Sequence, residues 1–352
     1  MDSLQKKLLR WYRKKARVLP WRQTKDPYRI WISEAMLQQT QVATVIPYYE
    51  RFLRRFPTVK SLSKAPLTAV LDHWSGLGYY SRAKNLHAAA QEVVRKHAGK
   101  IPAEVDELLD LPGIGRYTAG AIASIAYDRP APVLDGNVIR VLSRHLGIQE
   151  DPRKSSIQRK LWETADRLVP TECPGDFNQA LMELGATVCL PRAPRCSACP
   201  IRRGCQADEH GLQEQIPPPR ENTPRKKIRY ACGILEREGS VLIGRRPLQG
   251  LLPGLWEFPG GEIGARESPK QGLVQLLSKR LGIEAHVSSR PVRVRQILSH
   301  RELEIFALHC NWEGRPIRRD WYVTLRWIPR TKIRSAPMAA GMASLAARLW
   351  PQ

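Results

Sequence analysis

The chain has 352 residues, which suits two domains and excludes a single small module. Lys and Arg number 57 against 33 acids, a net charge of +24, and 42% of residues are hydrophobic. That balance excludes a disordered tail and points to a folded protein with a polyanionic partner. There is no apolar run of the roughly 18 residues that a bilayer span needs. Met1 to Arg17 is basic but has no apolar stretch followed by a small-residue cleavage site. A cytoplasmic, nucleoid-associated monomer with no membrane partner is expected; an arm lying on a membrane surface is the alternative for these first residues.

In chain order, Asp26-Pro27 is a cap followed by a proline at the first helical position. The run to Gln41 then sets Ile30, Trp31, Glu34, Leu37 and Gln38 along one side at spacings of three and four. Burial on that side would raise the pKa of Glu34 and leave it able to give up a proton near neutral pH. Glu104 to Asp110 and Tyr117 to Tyr127 read as helices around the turn Leu111-Pro112-Gly113-Ile114-Gly115. Its backbone N–H groups can form an anion nest for phosphate, or the segment is an ordinary helix–helix turn. After an extended Ala131 to Leu134, Asp135 precedes the helical pattern Val138, Ile139, Val141, Leu142. At a helix N-terminus it should stay ionised. Two carboxyls pushed in opposite directions suit the cleavage of a glycosidic bond. Taken singly, a surface glutamate and a capping aspartate explain them better.

Seven cysteines is an odd number, and four crowd into Cys189-x6-Cys196-x2-Cys199-x5-Cys205, unlike a disulfide framework. Zinc sites present two close pairs; here one close pair sits between longer arms, so one loop wraps one compact body. That favours a 4Fe-4S cluster over zinc, with four unliganded thiols as the alternative. Arg192, Arg195, Arg202 and Arg203 flank the run and would offer cations to phosphate. Cys173, Cys232 and Cys310 lack a partner pattern and read as buried free thiols.

Gln215 to Tyr230, QIPPPRENTPRKKIRY, reads as a stiff basic linker. The net charge is +11 before it and +13 from its start onward. Beyond it, Ala231 to Leu235, Val241 to Gly244, Glu304 to Cys310 and Tyr322 to Ile328 read as strands of a mixed α and β domain.

Together, Leu19-Pro20-Trp21-Arg22, Trp31-Ile32-Ser33-Glu34-Ala35-Met36-Leu37-Gln38-Gln39-Thr40, the Leu111 to Ala119 hairpin, Leu134-Asp135-Gly136-Asn137-Val138 and the cysteine loop resemble the helix-hairpin-helix DNA glycosylases. More narrowly they resemble the adenine DNA glycosylase (MutY) family, nearly end to end. The resemblance implies Glu34 as the acid, Asp135 facing the sugar cation, and Tyr117 and Asn137 as orienting groups. It places Leu19, Trp21, Arg22, Leu37 and Glu183 around a flipped adenine. Gln39 and Tyr79 become candidate wedges into the duplex, with Gly113 and Gly115 at the backbone. Relatives that also cut the strand carry a lysine where this chain has Tyr117. A phenol forms no Schiff base, so a monofunctional enzyme is expected.

Leu255-Trp256-Glu257-Phe258-Pro259-Gly260-Gly261, then Glu267, Leu277, Gly282 and Ile283, fall on the Nudix hydrolase frame. Gln275-Leu276 and Lys279-Arg280 stand where three of its four carboxylates belong, which argues against a magnesium-assisted pyrophosphatase. The family implies that this domain reads 8-oxoguanine through a Phe-Ser-His loop. This chain has Leu298-Ser299-His300, so the aromatic is missing while Ser299 and His300 can still hydrogen-bond.

The expected fold is multi-domain, with an all-α helix-hairpin-helix glycosylase region over 1–214. Within it, a barrel covers about 24–130 and the iron-sulfur cluster domain about 1–23 and 131–214. The 215–230 linker leads to an α+β Nudix-like domain over 231–352. The expected substrate is double-stranded DNA with adenine opposite 8-oxoguanine or guanine.

Overall fold

The computed structural model describes residues 3–219, 224–250, 252–298, 301–312 and 321–351. The chain forms two compact units, one of 1–65 and 81–221, the other of 66–80 and 222–352.

The first unit is helical. Its N-terminal helices are α1 (Ser3–Lys15), α2 (Pro27–Leu37), α3 (Val42–Arg55) and α4 (Val59–Lys64). Local chemistry sets their starts. Asp26 Oδ1 accepts from the Tyr28 N–H at 2.9 Å ahead of Pro27, and Thr58 and Ser61 cap α4 reciprocally. A helix α5 (Leu67–Trp74) belongs to the second unit, and α6 (Ser81–Lys96) returns to the first. The two helices expected around the glycine turn are α7 (Val105–Leu109) and α8 (Arg116–Tyr127). They are followed by α9 (Gly136–His145), α10 (Ser155–Leu168), α11 (Pro174–Thr187) and the short α12 (Gln206–Glu209).

The apolar stripe of α2 buries Ile30, Trp31, Ile32 and Met36, and α2 packs against α3, α6 and α8. In turn, α11 packs against α1, α8 and α9. Gly185 on α11 permits that approach, because a Cβ there would meet Asn137 Cβ at 2.6 Å. The α2 pattern was expected to run to Gln41. It ends at Leu37, where Gln38 leaves helical geometry with ψ 111° and Gln39 follows with a left-handed backbone, φ 57°.

The second unit is a mixed sheet with helices packed on it. Its elements are β1 (Lys226–Arg237), β2 (Ser240–Arg245), β3 (Trp256–Glu257), β4 (Gly260–Ile263), α13 (Pro269–Leu281), β5 (Ala285–Val287), β6 (Val292–Ile297), β7 (Arg301–Trp312), β8 (Thr324–Pro329) and α14 (Ala340–Leu349). The order β3-β2-β1-β7-β5 is extended by β4 on β1, β6 on β7 and β8 on β2. The long β1–β7 pair is parallel and the other pairs are antiparallel. Leu235, Leu242, Leu273, Leu277, Leu281 and Leu308 form its core.

Two boundaries differ from the sequence expectation. Residues 66–80, assigned there to the barrel, belong to the second unit, where Arg245 Nη2 donates to the Thr68 carbonyl at 2.9 Å and to Asp72 Oδ1 at 2.8 Å. The expected linker is also shorter at both ends. Lys226 already pairs with Arg301 in β1–β7, and Ile216 is buried with its carbonyl accepting from Arg144 Nε at 2.8 Å.

Gly113 combines φ 77° with a side-chain position only 2.5 Å from Asn85 Cβ. Gly113→Ala should therefore cost about 1–3 kcal/mol of unfolding free energy in urea; a loss below about 0.5 kcal/mol would mean that the turn is not under this constraint.

Candidate active site

Packing of α2 against α8 brings Glu34 and Tyr117 together. Glu34 is 5% exposed; the Tyr117 hydroxyl donates to its Oε2 at 2.5 Å, and Met182 Sδ lies 3.3 Å from the Tyr117 hydroxyl oxygen. Burial pushes the Glu34 carboxyl up to about 7; the phenol opposes this, and the nearby charge of Asp135 adds to it. Burial also holds the Tyr117 phenol well above its ordinary value. Tyr117 therefore acts only as a donor to Oε2, and a proton carried by Glu34 belongs on Oε1.

Asp135 caps α9. Its Oδ1 accepts from the Val138 N–H and its Oδ2 from Asn137 Nδ2, both at 2.8 Å. The expectation that the helix terminus keeps this pKa low is not met. Burial outweighs the donors from Val138 and Asn137 and raises the carboxyl above its ordinary value. Both carboxyls thus move upward, not in opposite directions. What differs is their company, since Asp135 has donors on both oxygens and Glu34 accepts from the single phenol.

Leu19 and Trp21 are buried and Leu37 is half-buried; the Trp21 ring meets Tyr49 edge-on at 5.4 Å. Glu183 is fully buried on α11 and accepts from Arg22 Nη2 at 2.8 Å. It also accepts from Arg17 through Nε and Nη2, each at 2.8 Å. Burial would raise the Glu183 pKa, but these two guanidiniums bring it down to about 2. It is therefore a carboxylate over the pH range below 7 in which Glu34 keeps its proton.

The structure places Gln39 and Tyr79 each at an exposed position with a left-handed backbone, φ 57° and 49°. Such strain in non-glycine residues is retained where the surroundings enforce it. Gly115 caps α8, and nothing lies within 4 Å of where its Cβ would be. A partner's backbone can approach closely there.

The four cysteines line one cavity of about 30 Å³ together with Arg144, Arg195, Arg202 and Asp208. Among the described residues, no three His, Cys, Asp or Glu side chains converge tightly enough for a single metal ion. Four thiols around one small space are a donor set that fits an iron-sulfur cluster. Arg144, 3% exposed, donates to Cys189 Sγ at 3.3 Å and to the Leu190 carbonyl at 2.7 Å. One turn earlier on α9, Arg140 donates to the Cys189 carbonyl at 2.8 Å and to Asn137 Oδ1 at 2.9 Å. Asn137 in turn donates to Asp135, so hydrogen bonds run unbroken from the cysteine loop to that carboxylate. Of the flanking cations, Arg202 is paired with Asp208 at 2.7 Å, while Arg192, Arg195 and Arg203 are exposed.

Residues 32–167 match the HhH-GPD superfamily of base excision DNA repair proteins, and residues 230–348 match the NUDIX domain. An adenine DNA glycosylase of Rattus norvegicus is 37% identical over 97% of this chain and 77% of its own length. Its Homo sapiens counterpart is 37% identical over 95% of this chain and 72% of its own. The chain belongs to the adenine DNA glycosylase family. A solved thermostable thymine-DNA glycosylase also resembles it, at 31% identity and a TM-score of 0.53, over 58% of this chain and 95% of that one. That likeness covers little more than the helical part.

The Nudix-like unit of this family member does not fit a divalent cation. Arg280, at a position where the Nudix frame has a glutamate, donates to the Gly260 carbonyl and lies 3.6 Å over the Trp321 ring. Glu257, just ahead of the frame's first glycine, is buried against Arg246 at 2.6 Å and the Tyr230 hydroxyl at 2.8 Å. Glu267 caps the loop through the Gly264 N–H at 2.7 Å. Ser299 and His300 lie outside the described residues; the Leu298 N–H donates to the Arg301 carbonyl at 2.8 Å. Sequence reasoning missed Arg17, Arg82, Met182 and the α9 pair Arg140 and Arg144. Only the last had a visible signal, two arginines four apart behind the Asp135 cap.

A carboxyl whose pKa is higher folded than unfolded stabilises the fold below the unfolded value and loses that contribution as pH rises through the folded one. For Glu34 the window runs from its ordinary 4.5 to about 7. Glu34→Gln should therefore gain stability relative to the parent between pH 5 and 8, by up to about 3 kcal/mol, measured by paired denaturant titrations. A constant difference across that range would contradict the raised pKa.

Proposed function

We propose that the protein removes adenine from double-stranded DNA in which it is mispaired with 8-oxoguanine or guanine. The observation that carries this reading is the buried Tyr117–Glu34 pair close to Asp135, in a chain of this family. The base leaves the stack at a cost of roughly a few kcal/mol, lower for a mispair, and Gln39 and Tyr79 fill the space. Leu19, Trp21, Arg22, Leu37 and Glu183 wall the extruded base. Glu34 gives its proton to adenine N7, which turns a poor leaving group into a neutral one. The Asp135 carboxylate, oriented by Asn137, faces the developing oxocarbenium, and water completes hydrolysis. Tyr117 holds the proton on the productive oxygen. Being a phenol, it leaves the strand uncut.

Gly113 and Gly115 meet the phosphate backbone, and Ser299 and His300 read the oxidised base on the opposite strand. Cys189, Cys196, Cys199 and Cys205 hold a 4Fe-4S cluster. With the four thiols so engaged, Arg140 and Arg144 would tie the 189–205 loop to α9. The lost carboxylates of the Nudix-like unit favour binding of a modified base over hydrolysis of a nucleotide. A working monomer located with the DNA follows from this reading.

Single-turnover assays on duplexes presenting A, T or an oxidised pyrimidine opposite guanine and 8-oxoguanine, with and without alkali, test it. Release should be confined to adenine, and strand breaks should need alkali. Glu34→Gln should bind the mispair yet release no adenine; parental rates in that variant, or release of thymine, would refute the reading. Tyr117→Lys should yield a borohydride-trapped covalent adduct, and no adduct would count against the place given to Tyr117. Iron and acid-labile sulfide should be present in the parent and lost on Cys199→Ala; zinc in their place would refute the cluster.

A further inference from the structure

The helix that carries Glu34 ends one turn later, and the chain doubles back through Gln38, Gln39 and Thr40 into α3. The last carbonyls of a helix lack partners within it. Here most of them are served by one side chain. Arg82, the second residue of α6 and 9% exposed, donates through Nη1 to the carbonyls of Ala35 at 2.9 Å, Met36 at 2.7 Å and Gln38 at 2.6 Å. Its Nη2 donates to Thr40 Oγ1 at 3.1 Å, and the Thr40 N–H serves the Leu37 carbonyl at 3.2 Å. The guanidinium also sits at the negative end of the α2 dipole.

Those contacts fall on both sides of residue 39, at Gln38 and Thr40, and leave Gln39 at the exposed apex with φ 57°. A left-handed backbone costs a non-glycine residue about 1–2 kcal/mol, so something must hold it. We propose that Arg82 is the positioning residue for Gln39, fixing the turn that aims its side chain at the duplex. The proposal rests on the reading of Gln39 as a wedge. Arg82 touches neither base nor sugar in this scheme and acts only through that turn. A lysine keeps the charge but has one nitrogen, which cannot span acceptors spread from residue 35 to residue 40.

The test is single-turnover adenine release from two duplexes, one with adenine opposite 8-oxoguanine and one with adenine opposite an abasic gap, where extrusion meets less resistance. Q39A and R82M should each slow release from the paired duplex by about tenfold, and from the gapped duplex much less. The double variant should be no slower than the slower single one, and R82K should resemble R82M. Losses that multiply to about a hundredfold in the double variant would overturn the proposal, as would equal losses on both duplexes, since Arg82 would then be supporting Glu34 or the fold at large. Should R82M fail to fold, Thr40→Val removes one Arg82 acceptor and should show the same paired-over-gapped pattern; parental rates there would overturn the proposal. Q39A at the parental rate would instead remove the wedge reading, and the anchoring of a wedge with it. The two failures are thus distinguishable.

Discussion

The hydrogen bond from Tyr117 to Glu34 organises the first unit. It requires α2 and α8 to pack closely, α2 to be apolar along the side that carries Glu34, and water to be excluded from both oxygens' surroundings. A carboxyl in that setting meets one donor and little solvent, so the neutral form persists up to about pH 7. Forty-eight residues separate the Asp135 and Glu183 carboxyls in sequence, yet α9 and α11 pack together and set both beside this pair. Three acids therefore share one region with different company: a phenol for Glu34, amide donors for Asp135 and two guanidiniums for Glu183.

Arginine is used here as much inside the protein as on its surface. Arg82, Arg144 and Arg246 are each buried, and each spends its planar fork on carbonyls or a carboxylate. Arg140 ties the Asp135 cap to the cysteine loop, and Arg280 takes a place that the Nudix frame gives to a glutamate. A net charge of +24 suggests a large cationic surface for phosphate. Part of that excess instead satisfies backbone oxygens that burial would otherwise leave unpaired. The charge is evidence for a polyanionic partner, and its residues are not interchangeable contributors to that surface.

What could be read from the sequence was whatever local chemistry encodes. The caps at Asp26 and Asp135, the burial of Glu34 on an apolar stripe, the glycine turn and the four cysteines all depend on neighbours within a few residues. The boundary at 66–80 did not show, because it depends on Arg245, which lies more than 170 positions away from Thr68 and Asp72. The roles of Arg17 and Arg82 were hidden for the same reason; their acceptors lie on distant turns of chain. Strands β3 to β6 are short or lie outside a long alternating pattern, so periodicity gave little signal. The direction of the Asp135 shift was misjudged because a cap is local and burial is tertiary.

Direct titration of the Glu34 carboxyl tests the central claim most closely. A pH series of infrared carboxyl spectra, taken as the difference between the parent and Glu34→Gln, isolates this one group. The account predicts a protonated carboxyl signal that disappears with a midpoint near 7. A midpoint at the ordinary carboxylate value, near 4.5, would mean that Glu34 is ionised at neutral pH and that another group supplies the proton.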